Sequence, residues 1–401
     1  MTERIYYTDP YLSEFDAQLI DLSPGENGRS IAVLDRTAFY PTSGGQPHDT
    51  GALASARVVD VVDLDDGTVA HVIEGGDLEK GPLRGRIDWD RRFEHMQQHT
   101  GQHVLSAAFD HVLGGRTVSF HLGAASVTID LAREVSAEEI ARAESEANRI
   151  VWEDRPVHIR FVDAEEAAAL PLRKEPARGG RLRLIDVEGF DLSACGGTHV
   201  ARTGGIGNIA VASWERFRGG TRVEFVCGVR TLRGYRALRD AVAGSTRLLS
   251  VHAADLPSGI ERLQAEARDS KRRLKESRTA LAAFEAEALA ANAMKHGGVA
   301  IVTAAMAGWD ANGLKTIASR IVSQPGFLVL FVSAPDPASI VVARSADAAA
   351  DSASILRTLT ARFGGKGGGR PELAQGGGLS GSVEEILDFA RSVLTGPPTE
   401  A

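Results

Sequence analysis

Short hydrophobic runs alternate with turn-forming residues in the N-terminal part of the chain. Clusters of β-forming residues, as in IAVLDRTAFYP, ARVVDVVDLDDGTVAHVIEG and GPLRGRIDW, are separated by Gly, Pro and Asp. Runs of this length and composition are typical of strands joined by tight turns. The pattern predicts a small β domain over residues 1–88, a barrel or a sandwich, of which we expect the barrel.

The hydrophobic period changes near Trp89 from that of strands to that of a helix. Apolar residues then recur at helical spacing: Phe93, Met96, Val104, Leu105, Ala108 and Val112. The series stops at a Gly-Gly pair, a typical helix terminator. A strand pair follows, and then a helix that begins at the capping sequence Ser136-x-x-Glu139. We expect a mixed α+β domain over residues 89–245.

A heptad pattern replaces the turn signals farther along the chain. The apolar positions that fall close to an a/d repeat are Ile260, Leu263, Ala267, Leu274, Leu281, Phe284 and Ala288. This pattern predicts a long helical linker over residues 246–296, which packs either within the chain or in a homodimer. Beyond Gly297, strand-like segments alternate with helical ones, which predicts an α/β domain over residues 297–401.

Composition changes this picture mainly through what it excludes. The chain has 401 residues, 43% of them hydrophobic and 24% charged, with 2 Cys and a net charge of -8. No apolar run approaches the roughly 18 residues that a membrane span requires. The acidic, polar N-terminus is unlike a secretory signal, so we expect a cytoplasmic protein. Two cysteines cannot supply a disulfide framework. The negative charge means that any RNA binding must rest on local basic patches.

Two pairs of potential metal ligands lie far apart in the sequence. His99 and His103 are four residues apart, which places both imidazoles on one helix face, about 6 Å apart along the axis. Cys195 and His199 repeat that spacing on a Gly-rich segment that we expect to be a loop. Three imidazoles and one thiolate suit zinc, so we expect one Zn²⁺ per chain. The alternative is that the two pairs are unrelated surface or core residues.

His95 lies one helical turn before His99 and tests this assignment. It is about 12 Å from His103 along a helix, too far to share one ion, so we expect His95 to be solvated or to lie behind the ligands. The residue after His99 is Thr100, so the H-E-x-x-H motif of zinc peptidases is absent. A peptidase function is therefore disfavoured.

A glycine-rich segment from Thr37 to Gly51 is a candidate for ligand binding. Its glycines, which include Gly44 and Gly45, allow the backbone to approach a ligand closely, while Thr37 and Gln46 supply neutral hydrogen-bonding groups. Taken by itself, the segment is more typical of a hairpin turn.

A second glycine-rich segment runs from Gly364 to Gly378. Its exposed backbone amides, flanked by Lys366 and Arg370, can hold phosphates, or the segment is a flexible loop without a role. It lacks the spacing and the Ser/Thr of a P-loop, so we expect no nucleotide hydrolysis.

Together these segments resemble the alanyl-tRNA editing proteins, free-standing relatives of the editing half of alanyl-tRNA synthetase. The motifs that carry the resemblance are T-x-F-Y-P…G-G-Q-P-x-D-x-G from Thr37 to Gly51, H-T-x-x-H from His99 to His103, and C-G-G-T-H from Cys195 to His199. The last domain, with GGKGGGRPELAQGGG, looks like the DHHA1 domain that ends the longer members. Gly101 replaces the alanine expected in H-T-A-x-H, a small change that should not disturb ligation.

The resemblance implies a hydrolase that acts in trans on alanine-accepting tRNA mischarged with serine, with glycine as a second candidate. A synthetase pocket for alanine rejects serine only weakly, whereas a second site that requires the hydroxyl discriminates sharply. The resemblance assigns that hydroxyl to Thr37, and it implies that Gln46, Gly44 and Gly45 position the ester or the terminal ribose. No aminoacylation domain is expected in the N-terminal part.

The role of the metal has two interpretations. Four protein ligands give a closed shell of the structural kind, whereas catalytic zinc keeps one site open. Either one ligand is displaced, so that zinc activates water and polarises the ester, or the ion only orders the pocket. We expect direct participation. The rival functions are peptidyl-tRNA hydrolysis, since release factors also use a Gly-Gly-Gln tripeptide, and structural-zinc RNA binding without catalysis.

Basic residues flank the C-G-G-T-H motif and are the expected contacts to tRNA, although such runs are usually solvated surface. They are Arg173, Lys174, Arg178, Arg181 and Arg183 before it, and Arg216, Arg218, Arg222 and Arg230 after it. We expect Arg216 and Arg222 to bind the tRNA together with Lys366 and Arg370. Phosphate contacts of this kind position a nucleic acid without reading its sequence. The other cysteine, Cys227, has strand-like apolar neighbours and is expected in the core.

Overall fold

The structure, a computed structural model, describes residues 1–173, 180–334 and 337–396. The chain forms two compact units, Met1–Ser245 and Thr246–Ala401. Among the described residues, no helix is both long and apolar enough to cross a membrane. The finer division into four domains remains a prediction.

Eight strands make up the N-terminal part of the first unit. They are β1 (Glu3–Arg4), β2 (Glu14–Pro24), β3 (Ser30–Leu34), β4 (Arg36–Thr37), β5 (Gly51–Leu53), β6 (Ala56–Asp63), β7 (Val69–Glu74) and β8 (Gly81–Ile87). Six of them close into a barrel in the order β2-β3-β7-β6-β5-β8, and β1 pairs with β4 in parallel. Alternate side chains point inward and form an apolar core that includes Phe15, Leu19 and Leu53. The predicted β-barrel is confirmed.

The rest of the first unit mixes helices and strands. Its elements are α1 (Trp89–Leu113), β9 (Thr117–Leu122), β10 (Val127–Leu131), α2 (Ala137–Trp152), β11 (Val157–Val162), α3 (Ala164–Ala168), β12 (Leu182–Val187), β13 (Asp191–Ala194), β14 (Ile209–Phe217), β15 (Gly220–Cys227) and α4 (Val229–Leu249). The strands form a sheet in the order β14-β15-β10-β9 and a second sheet in the order β11-β12-β13. Their shared core includes Met96, Phe109, Ile129 and Phe225.

Helix α1 runs through the middle of this region. All its residues from His95 to Phe109 are buried. The helix ends where Gly114 adopts φ 61° and its N–H donates to the carbonyl of Asp110, as the Gly-Gly pair predicts. Because this stretch is buried on every side, its polar side chains depend on partners within the protein, and Nδ1 of His95 and Oε1 of Gln102 lack one among the described residues.

The second unit is built on one six-stranded sheet. Its elements are α5 (Leu256–Ala291), β16 (Met294–His296), β17 (Val299–Ala307), α6 (Ala311–Ile321), β18 (Phe327–Ala334), β19 (Ala338–Arg344), α7 (Ser352–Phe363), β20 (Lys366–Arg370), β21 (Leu373–Leu379) and α8 (Val383–Thr395). The strand order is β16-β17-β18-β19-β21-β20, and of the described pairs in this sheet only β17 and β18 run in parallel. The multidomain α+β class is thereby confirmed.

Two expectations about the second unit need correction. The glycine-rich segment is a hairpin and not a loop, because β20 pairs with β21 from Lys366 opposite Gly377 to Arg370 opposite Leu373. The ladder occupies the backbone groups of β20 that face β21, while β20 forms the edge of the sheet. The predicted long helix is present as α5, but its heptad stripe is not buried within the chain, since Phe284 is 72% exposed. The helix buries small residues instead, among them Ala286.

Candidate metal centre and adjacent cavity

The four predicted metal ligands meet at one point of the first unit. Helix α1 presents His99 and His103 from adjacent turns, and the loop after β13 presents Cys195 and His199. The potential ligand atoms all lie within 4.8 Å of one another, so the group could hold a metal ion. The Sγ atom of Cys195 is 3.3 Å from Nε2 of His99 and 3.3 Å from Nε2 of His199. Around a tetrahedral zinc ion these separations would be about 3.6 Å.

Each imidazole of the cluster is held through its Nδ1 atom. The partner of His99 Nδ1 is the side-chain oxygen of Gln46 at 2.8 Å, and the partner of His103 Nδ1 is the carboxylate of Asp191 at 3.0 Å. Both partners are acceptors, so both Nδ1 atoms carry the proton. Each Nε2 atom therefore keeps a free lone pair for a metal ion, the arrangement expected of a ligating histidine.

Thr100 fixes the third imidazole in the same way. Its hydroxyl donates to the carbonyl of Met96 at 2.8 Å, so the oxygen has only acceptor capacity left. It accepts from the amide N–H of Val200 at 3.1 Å and lies 3.2 Å from Nδ1 of His199. The proton of His199 must therefore sit on Nδ1, and its Nε2 is available to a metal ion.

A tight turn delivers Gln46 to this cluster. Gly44 and Gly45 have φ values of 55° and 85°, and the two amide–carbonyl bonds between Ser43 and Gln46 close a two-residue hairpin turn. The turn interpretation of this segment is therefore correct, and the turn also positions a buried side chain. Gln46 donates to the hydroxyl of Thr198 at 2.9 Å and accepts from its amide at 3.1 Å. It thus joins the barrel side of the unit to the C-G-G-T-H loop.

Gly197 is required by this close packing. A Cβ atom at position 197 would lie 2.1 Å from the ring of His99 and 3.0 Å from Oε1 of Gln46. Contacts that short do not occur between non-bonded carbon atoms, so only glycine fits between the two side chains.

Asp191 and Arg173 extend the support of His103, and the sequence analysis did not assign them this role. Arg173 donates to Asp191 at 2.6 Å and to Ser193 at 3.1 Å. Burial raises the pKa of the Asp191 carboxyl, but hydrogen bonds from His103 and Arg173 outweigh it and hold that pKa below its usual range. An ionised Asp191 therefore orients His103. The signal available in the sequence was the position of Asp191, four residues before Cys195.

The environment of Cys195 favours its thiolate. Burial raises the pKa of the thiol, but the imidazoles of His99 and His199 outweigh burial and bring the pKa well below its usual value. A thiolate is the form that binds metal ions. Cys227, in contrast, is fully buried in the apolar core, where burial raises the pKa of its thiol. Its Sγ atom fills the space beside Gly101, 2.2 Å from where a Cβ would lie.

Thr37 lies inside the barrel. Its hydroxyl is 2.8 Å from Nε2 of His71 and accepts from the amide of Phe39 at 3.1 Å, and its side chain is fully buried. Burial lowers the pKa of His71 to about 4, so this imidazole is neutral at pH 7. The hydroxyl of Thr37 therefore already has two protein partners.

A cavity of about 220 Å³ opens beside the cluster. Its lining residues come from the Gly-Gly turn, α1, β9, the end of β13 and Arg173: Gly44, Gln102, His103, Thr117, Val118, Ser119, Phe120, Arg173, Ser193, Ala194, Cys195 and Gly196. Of the four ligands, only His103 and Cys195 line it. The cluster thus has one side that faces a space large enough for a small molecule.

His95 is buried. The expectation that it is solvated is therefore wrong. This histidine is 4% exposed, and its Nδ1 atom has no hydrogen-bond partner among the described residues. Burial, followed by the nearby charges of Arg91 and Arg230, lowers the pKa of His95 to about 3. It lines a separate cavity of about 290 Å³ near the start of α1.

The basic residues predicted to contact tRNA differ in their availability. Arg183 and Arg230 are buried, and Arg183 donates to the carbonyls of Cys195 and Gly197. Arg230 is paired with Glu94 and donates to the carbonyl of Gly123, so both arginines serve the interior of the protein rather than its surface. Lys174 and Arg178 lie outside the described residues.

Other members of the basic group remain accessible. The side chain of Arg216 is 84% exposed and 3.1 Å from the carboxylate of Glu134. Arg222 is paired with Asp130 at 2.7 Å and lies over the ring of Phe217, which restricts its movement. Arg181 lies 5.0 Å from the ring of Phe161, and Arg218 is 5.0 Å from that of Phe217.

Protein-family models match both units of the chain. Residues 182–224 match the threonyl and alanyl tRNA synthetase second additional domain, and residues 298–396 match the DHHA1 domain. The first match contains Cys195 and His199. Barrel, metal cluster and these two domains together define a multidomain relative of the synthetase editing apparatus.

Similar proteins cover nearly the whole chain. The alanyl-tRNA editing protein AlaX-L of Pyrococcus horikoshii is 31% identical over 98% of both chains. The chain belongs to the family of alanyl-tRNA editing proteins. The alanine–tRNA ligases of Methanoregula boonei and Methanoculleus marisnigri are 35% and 34% identical over 98% of this chain, which spans 43% of the length of each ligase. The family resemblance seen in the three motifs is thereby confirmed.

Proposed function

We propose that the protein hydrolyses, in trans, the ester bond of alanine-accepting tRNA mischarged with serine or glycine, at a zinc site formed by His99, His103, Cys195 and His199. The observation that carries the proposal is the cluster itself. Three imidazoles, each fixed through Nδ1, and one thiolate converge beside a cavity in a chain of the alanyl-tRNA editing family. Imidazole and thiolate ligands are the set that zinc prefers.

The arrangement of the ligands supports a direct role for the metal. His99 and His199 are enclosed by protein, whereas His103 and Cys195 form part of the cavity wall. Zinc bound there supplies Lewis acidity, which polarises an ester carbonyl and favours ionisation of water. The protein residues supply position: Gln46 holds His99 and the C-G-G-T-H loop, and Asp191 holds His103 as an Nδ1–H tautomer.

The predicted substrate contacts have different support. Gly44 lines the cavity, and a side chain on Gly45 would meet Phe120 at 2.9 Å, so this turn can lie against an aminoacyl ester. Gln46 is fully buried and does not line the cavity, so we propose that it acts on the ester through His99. Thr37 is also fully buried and absent from the cavity wall, so its direct contact with a substrate hydroxyl would require a local rearrangement. Arg216, Arg222, Lys366 and Arg370 are proposed tRNA contacts, and a homodimer through α5 or the last domain is a further proposal.

Seryl-tRNA tests this function directly. We expect the protein with one zinc per chain to release serine from alanine-accepting tRNA, and to release alanine from the correctly charged tRNA far more slowly. A chelator that removes the metal, or the substitution Cys195→Ala, should reduce serine release by more than about 100-fold, because loss of a ligand should cost more than the roughly 10- to 100-fold typical of losing a ligand's hydrogen-bond partner. Cys227→Ala is the matched control, since it removes the thiol that lies outside the cluster.

Other results would favour the rival functions. Tight tRNA binding without serine release would support a non-catalytic structural-zinc protein. Equal release of serine and alanine would leave an esterase without an editing role. Release of peptide from peptidyl-tRNA, without release of serine, would support a peptidyl-tRNA hydrolase. Full activity of metal-free protein would refute the zinc site.

A further inference from the structure

Two side chains that line the cavity each hold one buried polar atom without a hydrogen-bond partner among the described residues. These atoms are Oε1 of Gln102 and Oγ1 of Thr117. Gln102 is 3% exposed, and its NH₂ group donates to the hydroxyl of Ser106 at 2.9 Å. Buried polar atoms in native proteins are almost always paired, so an unpaired pair in one cavity indicates a ligand that completes them.

The other polar side chains of this cavity are already engaged. The hydroxyl of Ser119 donates to Asp130, and that of Ser193 donates to Asp191. Arg173 is bonded to Asp191 and Ser193, and His103 is bonded to Asp191. Among the described side chains of this wall, Gln102 and Thr117 are thus the two with a buried polar atom that has no partner at all.

The chemistry of these two atoms is complementary to a hydroxyl group. The amide oxygen of Gln102 accepts one hydrogen bond, and the hydroxyl of Thr117 can donate one. A hydroxyl is the small neutral group that donates and accepts at once. The cavity adjoins Cys195 and His103, and its volume exceeds that of several water molecules, each of which takes about 30 Å³. A seryl group whose ester lies near the cluster therefore fits with its side chain in this wall.

We propose that Gln102 and Thr117 bind the side-chain hydroxyl of the seryl group, and so make serine the preferred substrate over glycine. The inference rests on the proposed function of the same site. The seryl hydroxyl donates to Gln102 Oε1 and accepts from Thr117 Oγ1. Glycine and alanine leave both atoms unpaired, and a site built to bond a hydroxyl discriminates strongly against analogues that lack it. The same contacts protect correctly charged alanyl-tRNA.

Binding of non-hydrolysable analogues tests the assignment without relying on catalysis. The probes are the seryl, alanyl and glycyl amides of 3′-amino-3′-deoxyadenosine, measured by titration calorimetry with the zinc-loaded protein. We expect the seryl amide to bind at least about tenfold more tightly than the other two, since each lost hydrogen bond to a buried neutral partner changes affinity by up to about tenfold. Thr117→Val and Gln102→Met should each reduce this preference severalfold, with little change in affinity for the glycyl amide.

The control is Thr128→Val, the same substitution on the neighbouring strand β10, at a residue that does not line the cavity. It should leave the preference unchanged. Zinc content and thermal unfolding of each variant show whether the site is intact. No seryl preference in the unmodified protein, an unchanged preference in both variants, or equal losses for the seryl and glycyl amides would overturn the proposal.

Activity assays separate this inference from the proposed function. If the protein hydrolyses seryl-tRNA and Thr117→Val and Gln102→Met keep the same ratio of serine to glycine release, the hydroxyl assignment is wrong and the editing function stands. If the protein prefers the seryl amide and hydrolyses no aminoacyl-tRNA, the function is wrong and the hydroxyl site stands.

Discussion

The two glycine-rich motifs of this chain look alike in sequence, but their glycines differ in what surrounds them. At the metal centre, the missing Cβ of Gly197 leaves room for the ring of His99, 2.1 Å from where that atom would lie. In strand β20, a Cβ at Gly367 or Gly369 would meet the backbone of β21 at 2.6 Å or 2.3 Å, whereas nothing lies within 4 Å of a Cβ at Gly368. The comparison teaches that glycine content alone does not predict a site. What occupies the space of the absent side chain decides what the glycine does.

The residues that surround the glycines also differ between the two motifs. At the metal centre, Gly197 lies between side chains that are fixed by hydrogen bonds, so a shift of this residue displaces a ligand. On β20, Lys366, Gly368 and Arg370 share one face because side chains alternate along a strand. This face presents two cations with no side chain between them at an edge of the sheet. It suits contact with a phosphodiester backbone, which remains a proposal.

Gly197→Ala should have the largest effect. The added methyl group must displace His99 or Gln46, so we expect zinc affinity and serine release to fall by about 100-fold or more. Metal analysis after dialysis and single-turnover deacylation would measure the two losses. Gly196→Ala is the matched control, because a Cβ there lies 3.7 Å from the hydroxyl of Tyr7, an ordinary contact. Equal behaviour of the two variants would contradict the close packing described for Gly197.

Gly101→Ala should come next, with an effect on stability more than on chemistry. The new methyl group would lie 2.2 Å from Sγ of Cys227, and overpacking of this kind costs about 1–3 kcal/mol. The double variant Gly101→Ala/Cys227→Ala removes the sulfur and should recover most of that loss. Urea unfolding of the four proteins in this cycle measures the coupling. Additive losses would show that the two residues do not share one space.

Lys366→Ala/Arg370→Ala should have a smaller effect, confined to tRNA binding. We expect affinity for tRNA to fall severalfold and the dependence of log K on log salt to become less steep by about one per residue, with no change in zinc content. Lys315→Ala, at an exposed position on α6, is the control. An unchanged salt dependence would remove the hairpin from the proposed RNA contacts.

Gly368→Ala should have the smallest effect and would complete the comparison. No atom obstructs the new Cβ, and restriction of the unfolded chain favours alanine by about 0.4–1 kcal/mol. The free energy of unfolding should therefore stay constant or rise slightly. A marked loss of stability would show that the outward glycines are as constrained as Gly197.

Local patterns predicted the barrel, the long helices and the four potential metal ligands. The ligands could be predicted because the two members of each pair are only four residues apart, a spacing that brings their side chains close together in a helix or a tight loop. The groups that orient them were not, because they meet across long stretches of sequence. Gln46 bonds to Thr198, 152 positions away, and no periodicity links the two.

The positions of charged residues in the sequence did not predict which arginines are exposed, for a related reason. Arg183 and Arg216 look equivalent in the sequence, yet one is buried against backbone carbonyls and the other is 84% exposed. Composition gives the number of cations and not their burial. The hairpin at residues 366–379 was missed because glycine is normally unfavourable in strands.

The support of His99 by Gln46 also has a consequence for the order in which the protein is made. The barrel and both histidines of α1 are synthesised well before Cys195 and His199. Until the ribosome passes residue 195, a nascent chain offers the cluster two imidazoles and no thiolate. Because metal binding free energy is also folding free energy, an ion bound by the complete cluster would fasten the C-G-G-T-H loop to helix α1. If the proposed zinc site is correct, copies made in a cell short of zinc would accumulate with that loop unsecured.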